Sequence, residues 1–79
     1  MRIILTFPTL HHVLAAEKVL RENSETASSI RPTPTPPGLT SAVCGMSLEI
    51  TRAENENLVL ACLEKNGKNP VAVHQLSTK

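Results

Sequence analysis

Two cysteines, Cys44 and Cys62, are the residues of this sequence best suited to covalent chemistry, and their surroundings differ. Cys44 precedes Gly45 and stands at the mouth of a stretch rich in Pro, Thr and Ser, and sites concentrate on loops held by rigid scaffolds. Gly45 lacks a Cβ, which lets a substrate or another backbone come close. A thiolate is a strong nucleophile, and a helix N-terminus nearby lowers a thiol pKa from about 8.5 into the range of roughly 3.5 to 7.5. The other reading of Cys44 is a small buried hydrophobe, because it shares the parity of Met46, Leu48 and Ile50. Cys62 lies inside an apolar stripe of helical period and reads as core. No Cys-x-x-Cys joins the two, so a dithiol redox or metal-chaperone motif is absent.

Around Cys44 the sequence offers supporting groups. Thr9 is a fair N-cap, and His11 and His12 follow in what would be the first helical turn. Neighbours on a helix point about 100° apart, so at most one of these histidines could face the thiol. With His74 and the cysteines a zinc site can be imagined, but no ligand pair has metal spacing, and we assign neither metal nor cofactor. Glu17 falls inside an apolar stripe, where pairing with Arg21 four residues on would satisfy it.

These residues need elements to position them. Arg2 to Phe7 alternates Ile3, Leu5 and Phe7 with Ile4 and Thr6, the pattern of a strand. From Thr9 to about Asn23 the period becomes helical, with Leu10, Val13, Leu14, Ala16 and Leu20 on one side. A short edge strand is expected around Ala27 to Arg31, stopped by Pro32, Pro34, Pro36, Pro37 and Gly38. Beyond Cys44, Met46, Leu48 and Ile50 alternate with Ser47, Glu49 and Thr51 in a half-buried strand. Thr51 and Glu54 have capping-box spacing, ahead of a helix from about Glu54 to Asn66 with Leu58, Val59, Cys62 and Leu63 inward and Gly67 as its cap. Val71 to Leu76 is the last strand.

The order βαββαβ predicts an α+β ferredoxin-like domain over residues 1–79: a four-stranded antiparallel sheet, both helices on one face, and a proline-rich loop at about 32–43. A small open α/β sheet is the alternative, but its parallel crossovers need more chain than Ile30 to Cys44 supplies. Thr6, Ser47, Glu49 and Thr51 suit an uncovered sheet face. In this topology the start of the third strand lies beside the end of the first, which puts Cys44 near the first turn of helix one and its anion-favouring N–H groups.

Composition narrows the function. Eight basic and seven acidic residues leave a formal charge of +1, without the basic footprint that nucleic acid or an anionic membrane requires. Phe7 is the only aromatic residue, so base stacking is not expected and the core must be aliphatic. No run approaches the roughly 20 apolar residues of a membrane span, and Pro8, His11 and His12 interrupt the start before it resembles a signal peptide. We expect a cytoplasmic protein whose cysteines are thiols.

The segment Phe7-Pro8-Thr9-Leu10-His11-His12-Val13-Leu14-Ala15-Ala16-Glu17-Lys18-Val19-Leu20, the proline-rich stretch and Cys44-Gly45-Met46-Ser47-Leu48 resemble the small bacterial selenium/sulfur carrier-like proteins, a domain of unknown function. The resemblance covers most of the chain. It implies that Cys44 accepts a sulfane sulfur or selenium atom as a persulfide or selenopersulfide, between a protein donor and a protein acceptor. On that reading the chain is a carrier rather than a turnover enzyme. Two other classes compete: an interaction module with a structural Cys44, and a thiol enzyme, for which the sequence shows no general base.

Overall fold

A computed structural model describes residues 2–36 and 45–76; Cys44 and most of the expected proline-rich loop lie outside the described residues. The elements are β1 (Arg2–Thr6), α1 (Leu10–Glu22), β2 (Ile30–Pro34), β3 (Met46–Ile50), a 3-10 turn (Ala53–Asn55), α2 (Glu56–Lys65) and β4 (Ala72–Leu76). The strands form one sheet in the order β2-β3-β1-β4 with every neighbouring pair antiparallel. This is the expected α+β ferredoxin-like arrangement.

Alternation along β1 divides the sheet into two faces. Ile3 and Leu5 join Leu48 and Ile50 of β3 under Val13, Ala16 and Leu20 of α1 and Val59 and Leu63 of α2, in one apolar cluster that also takes in Phe7 and Ile30. Both helices therefore cover the same face. Ile4 and Thr6 point to the other face, as do their neighbours Ser47 and Glu49. These polar residues lie where the alternation predicts, yet Thr6, Ser47 and Glu49 are buried rather than solvated, and Thr51 is exposed. Internal partners make that burial tolerable: Thr6 Oγ1 donates to the Ala72 carbonyl at 3.3 Å, and Thr35 and Ser47 hydroxyls meet at 2.6 Å.

The second strand runs through the prolines instead of stopping at them, from Ile30 to Pro34 rather than from Ala27 to Arg31. Thr35 N–H donates to the Gly45 carbonyl at 2.9 Å, and Thr51 N–H to the Ser29 carbonyl at 2.7 Å. Both bonds fall on the odd-numbered pairs of the β2–β3 register, so Arg31 and Thr33 also turn their backbone groups to β3. The nitrogens of Pro32 and Pro34 then face away from the sheet, where no N–H is needed. Proline is compatible with this strand because it is an edge.

Both helices bury narrower stripes than their sequences suggest. Thr9 caps α1 as expected, accepting from His12 N–H at 3.2 Å. Val13, Ala16 and Leu20 are buried, but Leu10 and Leu14 are 50% and 54% exposed, because the helix rests on the sheet along one flank. Thr26 is fully buried and donates to the Leu20 carbonyl at 2.7 Å, closing the C-terminal end of α1. The expected capping box does not form: Thr51 Oγ1 turns to the Ser28 carbonyl, and α2 is entered through the 3-10 turn with no side-chain cap on Asn55. Leu58 is 44% exposed, and Leu60 instead packs against the core. Gly67 ends the helix at φ 68°, with Lys68 N–H reaching back to the Leu63 carbonyl at 2.8 Å, the left-handed cap the sequence predicts.

The two leucine environments of α1 separate in a urea unfolding series. Leu20→Ala should lower stability by about 2 to 5 kcal/mol, and Leu14→Ala by no more than about 0.5 kcal/mol. Equal losses would mean that Leu14 belongs to the core after all.

Candidate functional site

The sheet end where β1 finishes and β3 begins collects the residues singled out for chemistry. The register pairs Leu5 with Leu48, and the same antiparallel count carried three residues further sets Pro8 opposite Gly45. Thr9 and α1 follow at once. Cys44 itself lies outside the described residues.

At the start of α1 the backbone is poised for negative charge. His12 N–H is taken by Thr9 Oγ1 and Val13 N–H by the Thr9 carbonyl, while the N–H groups of Leu10 and His11 have no acceptor among the described residues. No acidic side chain occupies this first turn, so nothing on the helix offsets the positive end of its dipole. His11 and His12 are both exposed. His12 Nδ1 lies 2.7 Å from Thr9 Oγ1, and since that oxygen already accepts from His12 N–H, its hydroxyl proton is free to donate to Nδ1.

Gly45 is exposed, its carbonyl fixed by Thr35 N–H. Its φ is not positive, and a Cβ built there meets nothing within 4 Å. The described fold therefore imposes no requirement for glycine at this position. Cα access from outside is what a side chain would reduce.

Cys62 packs against the core cluster, as its apolar stripe suggests, but at its margin rather than inside it. It is half-buried and lines a groove of about 490 Å³ between the helices, together with Val19, Glu22, Asn23, Lys65 and Asn66. Asn23 Nδ2 and Asn66 Nδ2 approach its sulfur at 3.7 and 3.9 Å; Asn66 stands four residues on along α2, whereas Asn23, at the end of α1, comes near only through tertiary packing. Glu17 pairs with Arg21 at 3.0 Å on the exposed flank of α1, as its spacing predicts. Among the described residues no three His, Cys, Asp or Glu side chains converge to hold a metal. His74 stands on β4 beside its β1 partner Ile4, its Nε2 buried and without a hydrogen-bond partner among the described residues.

The sheet face opposite the helices holds a charge cluster that sequence reading passed over. Glu49 accepts two hydrogen bonds from Arg2, at 3.0 and 3.1 Å, and Arg31 lies at 3.5 Å on its other side. The signal was present as cross-strand spacing, because Arg31 is the direct partner of Glu49 and Arg2 its diagonal one. The hydrogen bonds from Arg2 hold the Glu49 carboxyl below the usual carboxylate range against the opposing effect of burial, with the charges of both arginines adding to the lowering. The same pair raises the Arg2 guanidinium above its ordinary value, so it stays charged.

Comparison with known proteins gives one match. A family model described as "Putative Se/S carrier protein-like" matches residues 2–75. No curated protein and no solved structure matches. Among the described residues no helix is long and apolar enough to cross a membrane.

The Glu49 cluster sets an acid limb to stability. Because the folded carboxyl titrates below its unfolded value of about 4.3, the cluster's stabilisation is complete above that pH and is lost as pH falls through the folded value. Thermal unfolding followed from neutral pH into this range should fall more steeply for the wild type than for Glu49→Gln. Parallel curves would show that the cluster contributes nothing to the acid sensitivity.

Proposed function

The chain belongs to the selenium/sulfur carrier-like family, and we propose that it carries sulfane sulfur or selenium on Cys44 between a protein donor and a protein acceptor. The observation that supports this most is where the chain re-enters the described fold. Gly45, bonded to Cys44, opens β3 at the sheet end where α1 starts with two N–H groups unengaged and no acidic residue. A thiolate tethered at that end benefits from the same field that favours any anion at a helix N-terminus.

The transfer is a displacement without net redox change. The Cys44 thiolate attacks the outer sulfur of a donor persulfide, R–S–SH; a Cys44 S–S bond forms, the donor S–S bond breaks, and R–S⁻ leaves with the electron pair. The proton on the outer sulfur travels with it. The acceptor thiolate repeats the step in the opposite sense, and a selenopersulfide follows the same course with selenium as the moved atom. Gly45 leaves the flank of the tether clear for a donor or acceptor, while Thr9, His11 and His12 are supporting residues of the positive end rather than reacting groups.

Incubation with a persulfide donor, followed by intact-mass measurement, tests the proposal. The protein should gain the mass of one sulfur, or one selenium from a selenium donor, and lose it again to a small thiol. Cys44→Ser should abolish the gain and Cys62→Ser should preserve it, because the Cys62 sulfur is half-buried against the core. Loading that survives Cys44→Ser would refute the proposal.

Gly45→Ala adds a second reading of the same site. Its melting temperature should match the wild type or rise slightly, as for alanine at a glycine with ordinary φ, while its loading slows. Unchanged loading kinetics would remove Gly45 from the site.

A further inference from the structure

The two edges of the sheet are built differently. The β2 edge turns the nitrogens of Pro32 and Pro34 outward and has no donors at those positions. The β4 edge has neither proline nor a Lys, Arg, Asp or Glu between Ala72 and Leu76, so it lacks the usual guards against strand pairing. Its outward groups follow from the alternation across the sheet. Odd residues of β3 bond to β2, so its even residues bond to β1; β1 then offers its even residues to β4, and Ala72, His74 and Leu76 are the ones that answer. Val73 and Gln75 are left with their N–H and C=O groups pointing away from the sheet.

We propose that this edge pairs antiparallel with the β4 of a second copy of the chain, joining two four-stranded sheets across a two-fold axis. The register is centred on His74. Val73 exchanges both backbone hydrogen bonds with the second copy's Gln75, and symmetry repeats the exchange, so the four outward groups on each strand are all used. A register centred on Val73 would need Val71 N–H, which is already committed to the Thr6 carbonyl at 2.8 Å. The side chains favour the same occupant. Val73 is 39% exposed on the helix side of the strand, where this register sets the second copy's Gln75 directly against it and the second copy's Val73 diagonally, without bringing together lysines, arginines or carboxylates. Because the β2 edge is closed by its prolines, pairing stops at two copies and does not propagate into a filament.

This inference does not rest on the carrier reading, since Cys44 takes no part in it. Sedimentation under reducing conditions, which exclude disulfide-linked species, should show a concentration-dependent doubling of mass. Val73→Pro deletes an N–H that the single chain does not use, and with it two of the four intermolecular bonds; the dimer should weaken at least about tenfold with an unchanged circular-dichroism spectrum. Val73→Lys provides the second variant should proline disturb the strand, and it should act in the same direction through like charge at the edge. The register is read by oxidising cysteine variants in a Cys44→Ser/Cys62→Ser background. His74→Cys faces its own copy across the axis and should cross-link, whereas Gln75→Cys should not. A wild type monomeric at every soluble concentration, a dimer unaffected by both Val73 variants, or cross-linking of Gln75→Cys as fast as of His74→Cys would overturn the proposal.

Discussion

The β1–β3 pairing is the constraint from which the rest of the molecule follows. A strand in the middle of an antiparallel sheet must give alternate backbone groups to its two neighbours, so fixing one ladder fixes the next. The bonds at the two ends of the β2–β3 ladder commit the odd residues of β3 to β2; the even residues then belong to β1, and the even residues of β1 to β4. Side-chain direction is locked with them. Ile3 and Leu5 must face the helices if Ile4 and Thr6 face away, and a slip of one residue would exchange the apolar cluster with the polar one.

That parity also explains how the second face of the sheet is buried without becoming an apolar core. Thr6, Ser47 and Glu49 lose water there, and a lost water bond that is not replaced costs roughly 1 to 3 kcal/mol per group. Each has a replacement from an adjacent strand or its flank: the Ala72 carbonyl for Thr6, Thr35 for Ser47, and two arginines for Glu49. The fork of Arg2 matches both carboxylate oxygens, which is why this face accommodates a charge that isolated burial would neutralise. Specific polar pairing on one side and shape-filling aliphatic packing on the other both depend on the same register.

Thr9, His11, His12 and Gly45, read from the sequence as supporting groups, gather at one end of that frame rather than in its interior. The helix-one N-terminus, the exit of β1 and the entry of β3 lie together because α1 follows β1 after three residues and β3 runs antiparallel to β1. In the proposed carrier role, the thiol would be joined to the rigid sheet through Gly45 and would present its sulfur where partners reach it. The other thiol, in the groove between the helices, has amide donors directed at it and lies off that end of the sheet.

Much of this was legible in the sequence, since strand and helix periods depend on near neighbours. The order βαββαβ, the Thr9 cap, the Glu17–Arg21 pair and the Gly67 cap all rest on residues within a few positions of one another. The likeness carried by Phe7 to Leu20 and by Cys44-Gly45 likewise identified the family. Even the continuation of β2 was written in the alternation of Arg31, Thr33 and Thr35 with Pro32, Pro34 and Pro36, which leaves every needed N–H on one side of the strand. Its edge position made that alternation usable, and edge position is a property of the assembled sheet. Tertiary structure alone decided that Leu10, Leu14 and Leu58 stay exposed, that Cys62 borders a groove, and that Thr6, Ser47 and Glu49 are buried. Periodicity states which side chains share a face; how much of that face is covered depends on the position and tilt of elements far away in the chain.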